Sequence, residues 1–336
     1  MALNNRPTSI MLLYSSLTRC LYSRLKTDLR LRVIFCQQSN FTSLNENVEI
    51  NDQFVPKVAP LKTSDVEAIQ QFVSSSNQIL VITGAGLSTE SGIPDYRSEG
   101  VGLYSRSSFR PVQHAEFVKF PERRKMYWAR NFIGWPIFNS REPNLSHRIL
   151  SQWEKAGKIS WLVTQNVDSL HTKAGSKKVT ELHGSSRSVV CLNCKQLIPR
   201  ETLQDMMELE NPFFDEEPAE IAPDGDVILT PDQVKRFNVP PCQSCGGVLK
   251  PQVVFFGDNV PRNIVDFVYK KVSESDALLV VGSSLQVFSA FRFVRVAFEE
   301  EKPIAIINIG PTRADKIVNL KVNAKLGDIL PLIKIS

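Results

Sequence analysis

The strongest constraint on the fold is a set of four short apolar runs, each broken off at once by small or polar residues. They are Ile79-Leu-Val-Ile-Thr83 before Gly84-Ala-Gly86, and Trp161-Leu-Val-Thr164 before Gln165-Asn-Val-Asp168. The others are Ala277-Leu-Leu-Val-Val281 before Gly282-Ser-Ser284, and Ile304-Ala-Ile-Ile307 before Asn308-Ile-Gly310. Runs that are apolar throughout, rather than alternating, belong to strands buried on both faces of a parallel sheet. Helical patterns over 65–74, ahead of the first run, and 263–273, ahead of the third, accompany them. The expected fold is α/β: a Rossmann-like parallel sheet with helices on both faces. Ligands of such sheets bind beyond the carboxyl ends of the strands, so the four small-polar loops form one candidate site.

The loop after the first run is the richest, continuing from Gly84-Ala-Gly86 through Ser88, Ile93, Asp95, Tyr96, Arg97 and Ser98. A Gly-x-Gly start lets backbone amides approach a diphosphate. The third glycine of G-x-G-x-x-G is replaced by Thr89, and alone this start is equally a plain strand-to-helix turn. Ser88, Asp95 and Arg97 add a hydroxyl, a carboxylate and a guanidinium, which favours a ligand over a solvated connection. A dehydrogenase would also need an acidic residue about 20 positions on, where Tyr104 and its neighbours stand instead. Neither a G-x-S-x-G nucleophile motif nor a Walker A sequence occurs.

Of six cysteines, four form the pairs Cys191-x-x-Cys194 and Cys242-x-x-Cys245. Each pair can place two thiolates on one metal from a tight turn, and two pairs complete a tetrahedral four-thiolate site. A redox pair is the competing reading of a single CxxC, but two pairs with Gly246-Gly247 after the second favour one structural zinc ion. The 47-residue interval between the pairs implies inserted structure, and its acidic, Pro-containing stretch over 201–232 reads as a poorly packed excursion.

Only four histidines are present. His114 and His147 lie in no motif and read as surface or satisfied core residues. His171 closes Thr164-Gln-Asn-Val-Asp-Ser-Leu-His171, and His183 sits in Glu181-Leu-His-Gly184 just before the first CxxC. Gly184 would leave the His183 imidazole accessible, and a pKa near neutrality suits it to take a proton from a hydroxyl.

The formal charge of +5 is concentrated at one end. Residues 1–45 hold six basic residues and one acid, which leaves 34 basic against 34 acidic residues for the rest. Leu17, Leu21, Leu25 and Leu29 recur at near-helical spacing among these basic residues and many serines. That composition matches a mitochondrial transit peptide better than a disordered basic tail, and Arg19 and Arg24 break any secretory apolar core. The neutral remainder gives no basic surface for nucleic acid, and no apolar run approaches the roughly 18–20 residues of a membrane span. The polar stretch 46–60, with Pro56 and Pro60, reads as a linker to a domain over 61–336.

Taken together, these motifs resemble the sirtuin family in identity and order, from about residue 60 to the end. Gly84-Ala-Gly86-x-Ser88, Ser91-Gly-Ile-Pro-Asp95-Tyr-Arg97-Ser98, Thr164-Gln-Asn-Val-Asp168, Leu182-His-Gly184, both CxxC pairs and Gly282-Ser-Ser-Leu285 carry the likeness. Val101-Gly-Leu-Tyr104, Tyr127-Trp-Ala-Arg130-Asn-Phe, Ala222-Pro-Asp-Gly-Asp226 and Asn308-Ile-Gly-Pro-Thr312 are similar to its class II mitochondrial, sirtuin-four-like branch. The resemblance implies a Rossmann-like part (61–185 and 250–336) and a zinc-binding module with an acidic insert (186–249). It implies NAD as co-substrate and acyl-lysine proteins, among them mitochondrial enzymes, as partners, in the mitochondrial matrix. The acyl oxygen would attack the nicotinamide ribose, and His183 would act as general base so that an alkylimidate collapses to deacylated lysine and O-acyl-ADP-ribose.

Asn166 and Asp168 would serve the same chemistry. Cofactor contacts would come from Gly84, Ala85, Gly86, Ser88, Ile93, Asp95, Tyr96, Arg97 and Tyr104, and from Gln165, Asn166, Val167 and Asp168. Gly282, Ser283, Ser284, Asn308, Ile309, Gly310 and Leu326 would complete them, and Val253-Val-Phe-Phe-Gly257 would pair with substrate backbone. Where many members carry proline soon after the G-S-S-L-x-V run, Phe288 and Ser289 follow Val287 here, and no arginine is assignable to a carboxylated acyl group. ADP-ribosyl transfer to protein is the alternative enzymatic outcome. A non-catalytic binding module is the alternative class, for which His183, Asn166 and Asp168 would have no use.

Overall fold

The computed structural model describes residues 52–108, 110–216 and 222–335; the expected targeting segment, Cys20, Cys36 and residues 46–51 of the linker lie outside them. The strands are β1 Ile79–Thr83, β2 Ile159–Thr164, β3 Val179–Glu181, β4 Gly184–Cys191, β5 Leu197–Pro199, β6 Leu249–Val253, β7 Ala277–Val281, β8 Ile304–Ile307 and β9 Leu320–Val322. The principal helices are α1 Thr63–Ser75, α2 Pro121–Asn139, α3 Leu145–Lys155, α4 Arg200–Glu210, α5 Arg262–Glu274 and α6 Phe288–Glu299. The four apolar runs are β1, β2, β7 and β8, the centre of a six-stranded parallel sheet ordered β3-β2-β1-β7-β8-β9.

Both faces of that sheet are sealed, as continuous apolar strands require. Ile79 and Val81 of β1 and Leu279 of β7 enter one core with Ile69 and Phe72 of α1 and Trp153 of α3. Leu80, Ile82, Leu278 and Val280 enter the other, with Val268 of α5 and Phe293 of α6. Each fully buried aliphatic side chain contributes about 1.5–3 kcal/mol. Because both faces are apolar, alternation cannot set the strand register. It is tied at the strand ends instead: Gln165 N donates to Thr83 O (3.0 Å), Gly84 N to Val281 O (3.3 Å) and Gly282 N to Ile307 O (2.9 Å). These bonds hold the loops after β2, β1, β7 and β8 at one edge. The strand order reverses between β1 and β7, which opens the crevice there.

A third core surrounds the antiparallel sheet β5-β4-β6. The expectation of a poorly packed excursion over 201–232 is not met. Leu203 and Met207 of α4, then Phe214, Val227 and Leu229, are buried with Phe117, Trp128 and Phe132. Arg200, itself buried, donates from Nε to Asn131 Oδ1 (3.0 Å) and stacks over Trp135 at 4.6 Å, tying α4 to α2. The acidic residues had masked an apolar stripe at helical spacing, a helix with one wet face. None of the described helices is long and apolar enough to cross a membrane.

Candidate active site

At the reversal point the loops after β1 and β7 touch backbone to backbone. Gly86 N donates to Gly282 O at 3.0 Å. Gly282 has φ +60°, and a Cβ there would lie 2.4 Å from Leu87 N, so only glycine permits the approach. After Gly84 the chain enters short 3-10 turns, Ala85–Leu87 and Thr89–Ser91, and not the α-helix of a dehydrogenase turn. The crevice widens into a cavity of about 1470 Å³, above the roughly 300–1,000 Å³ of ordinary single-ligand pockets. It has room for two substrates at once.

The loop after β2 is held from below by β1. Gln165 Nε2 donates to Thr83 O (3.1 Å) and to Ser283 Oγ (2.8 Å), which couples three loops. Asn166 Nδ2 donates to Gly84 O and Ser88 Oγ, both at 3.1 Å. Asp168 accepts from Ser88 Oγ (2.7 Å) and Leu170 N (2.9 Å). Burial pushes the Asp168 carboxyl above its usual range, against the pull of those hydrogen bonds. Asp95 Oδ1 accepts from Arg97 N (3.0 Å) and Ser98 N (2.8 Å), folding its loop into a turn around the carboxylate.

His183 stands between β3 and β4 and lines the same cavity as these groups. Its Nδ1 lies 2.9 Å from Gln165 O, which can only accept, so Nδ1 carries the proton. Nε2 is therefore the lone-pair nitrogen, 2.8 Å from Ser289 Oγ. Burial lowers the His183 pKa, opposed by the Gln165 carbonyl, so the neutral ring prevails at pH 7. Gly184 does more than leave the ring accessible. At φ +79° a Cβ there would sit 2.0 Å from Gln252 O, so this glycine admits the pairing of β4 with β6.

Every residue expected to hold cofactor or perform chemistry lines this cavity except Tyr104 and Leu326. Tyr104 is stacked between guanidiniums, 5.5 Å from Arg97 and 4.6 Å from Arg110, and Leu326 is buried in the core under β1. Sequence reasoning missed Asp224 and Asp226, which also line the cavity. Burial raises both carboxyls, Asp226 well above its usual range with Asp224 adding to the shift. Pro223-Asp-Gly-Asp226, a tight turn bearing two carboxylates, was the available signal.

The four paired cysteines converge away from the cavity. Cys191 Sγ lies 3.5 Å from Cys245 Sγ and Cys194 Sγ lies 3.8 Å from Cys242 Sγ, with all four sulfurs within 4.8 Å of one another. Zn–S bonds of about 2.3 Å in a tetrahedron put sulfurs about 3.8 Å apart, so the donor set fits zinc. The two knuckles match: Lys195 N donates to Cys191 O (3.0 Å) and Gly246 N to Cys242 O (2.8 Å), with φ +63° and +69° at the turning residues.

His147 and His171 are not at the surface and not in the cavity. Both are fully buried beneath it, with ring centroids 4.9 Å apart. His171 Nε2 lies 3.0 Å from Thr83 Oγ1, and His147 Nδ1 lies 2.9 Å from Asn144 Oδ1. Burial lowers both pKa values, that of His171 to about 3. An unfolded histidine titrates near 6.5, so stability is complete above that pH and falls as the pH drops toward the folded-state value. At pH 5 the loss from His171 alone is about 2 kcal/mol. Urea midpoints at pH 7.5 and 5 should therefore differ more in the unaltered protein than in His171→Gln. Equal differences would refute the buried neutral pair.

The fold and site define a doubly wound α/β protein with a dinucleotide-sized crevice, a neutral histidine on the crevice wall and a four-thiolate metal module. The Sir2 family model matches residues 84–289, and the chain belongs to that family. It is 57% identical over 280 residues to human "NAD-dependent protein lipoamidase sirtuin-4, mitochondrial", covering 83% of this chain and 89% of that protein. It is 49% identical to Drosophila melanogaster "NAD-dependent protein deacylase Sirt4", covering 86% and 93%. Among solved structures, a Sir2–p53 peptide–NAD+ complex superposes with TM-score 0.62 at 29% identity, covering 79% of this chain and 95% of that one.

Proposed function

We propose that this chain is an NAD-dependent protein-lysine deacylase that transfers the acyl group of lysine to ADP-ribose and releases nicotinamide. The observation that carries this reading is the neutral His183, its lone-pair Nε2 in a cavity that Asn166 and Asp168 also line. Loss of nicotinamide leaves positive charge on the ribose. The Asp168 carboxylate and the Asn166 carbonyl, whose amide nitrogen is engaged by Gly84 and Ser88, supply a fixed polar wall for it. His183 Nε2 then accepts a ribose hydroxyl proton, a transfer that requires contact at about 3 Å. Gly84, Gly86, Ser283 and Ser284 would face the diphosphate and riboses, and Asn308 to Gly310 the adenosine side. The segment after β6 would take substrate backbone by strand addition.

The names of the human and Drosophila relatives support this reading, and the first prints a mitochondrial location. We assign the chain to the mitochondrial matrix, with residues 1–45 as transit peptide, 46–60 as linker and 61–336 as catalytic domain, of which 186–249 form the zinc module. Its substrates would be acylated mitochondrial proteins. Incubating the purified protein and NAD with peptides bearing acetyl, succinyl, glutaryl and lipoyl lysine, followed by product mass, tests the activity. O-acyl-ADP-ribose is the expected product. ADP-ribosylated protein without it would establish transfer instead, and absence of nicotinamide release would overturn both.

A further inference from the structure

The segment in which this chain departs from its family's usual pattern is also the one that reaches the proposed base. Ser289 is the second residue of α6, which follows directly on the β7 loop that bears Gly282 to Ser284. Its Oγ lies 2.8 Å from His183 Nε2, although 106 residues separate the two in sequence. Nε2 is unprotonated because Nδ1 spends its hydrogen on Gln165 O at 2.9 Å. The hydroxyl is therefore the donor, and it occupies the lone pair that a ribose hydroxyl must reach.

We infer that Ser289 is a positioning residue for His183: its hydroxyl fixes the ring plane and the Nδ1–H tautomer, and yields Nε2 to the ribose hydroxyl when NAD enters. The inference rests on the deacylase reading above. With both nitrogens engaged, at Gln165 and at Ser289, the imidazole cannot flip without breaking two hydrogen bonds. A donor to a neutral ring's lone pair also favours the unprotonated form. Ser289 thus keeps the base neutral and aimed. Both residues line the cavity, so an incoming hydroxyl can replace the serine as donor without disturbing the core. Asp95, Arg97, Asp168, Asp224, Asp226, Asp258 and Arg292 are among the charged groups that line the same cavity, and none is a hydrogen-bond partner of either ring nitrogen.

The test combines NMR of the His183 ring nitrogens in the ligand-free protein with pH profiles of kcat and of kcat/KM for NAD. It compares the unaltered chain with Ser289→Ala and with Ser289→Thr, which restores the hydroxyl. In Ser289→Ala the His183 titration should move up by about half to one pH unit, the worth of one hydrogen bond. The acidic limb of kcat/KM should move with it. Removing the occupant of Nε2 should leave KM for NAD unchanged or lower, while kcat falls several-fold because the ring is free to turn. Ser289→Thr should restore both. An unchanged His183 titration in Ser289→Ala, or a loss that Thr does not rescue, would overturn the inference. If the NMR shift appears but the unaltered protein cleaves no NAD, the pairing stands and the assigned reaction falls.

Discussion

Replacing His183 with tyrosine should reduce acyl transfer at least a hundredfold while leaving the fold and the four-cysteine cluster in place. Loss of a general base alone costs about 10²–10⁴ in rate. The phenol adds to this, since with an ordinary pKa near 10 it cannot accept a proton at pH 7. It would also fill the space between Gln165 and Ser289 into which a ribose must come. The fold should tolerate the change because His183 lies on a cavity wall and in none of the apolar cores. Product mass after a long incubation is the measurement, with thermal melting and zinc content as controls. Full acyl transfer by His183→Tyr would remove the residue from the mechanism. The pH behaviour of the unaltered enzyme bears on the same point. Burial disfavours the imidazolium, so the acidic limb should lie below the ordinary histidine value and activity should persist as pH falls through 6.5.

Much of this site was legible because its residues sit where a physical rule puts them. A buried parallel strand must stop before the chain can turn, and the residues that turn it are forced to the ligand edge. Gly84, Gln165, Gly282 and Asn308 were found for that reason. The zinc set was legible because two short intervals fix four sulfurs at once. What escaped depends on contacts that no spacing encodes. Ser289 meets His183 across 106 residues through the packing of α6 on β7. Asp224 and Asp226 reach the cavity because the insert packs its apolar side on α2, while the acidic composition spoke only for the side facing water. Tyr104 has the right neighbours in sequence, yet the turn at Asp95 and its own stacking on Arg97 and Arg110 keep it off the cavity wall. Gly184 was correctly singled out on an incomplete ground, since a strand partner 68 residues away decides what fits there.

The zinc module is where a single exposed atom should matter most. Cys194→Ser should abolish zinc binding and lower the melting temperature by about 10 °C or more, although Cys194 itself is exposed. An exposed substitution with no special role moves stability by about 0.5 kcal/mol or less. A structural zinc site contributes about 10–16 kcal/mol of binding free energy in small modules, and ligands that fail to close the tetrahedron forfeit most of it. Any large effect must therefore come through the metal. The damage should also reach the active site. Cys191 ends β4 and Gly184 begins it, and Gly184 follows His183 directly, so loosening the knuckles loosens the strand that carries the base. Chelation of the unaltered protein should then reproduce the melting shift and the activity loss together, and added zinc should reverse both. A purified protein that contains no zinc near one ion per chain would refute the four-cysteine assignment. A Cys194→Ser protein that retains zinc and melts normally would do so as well.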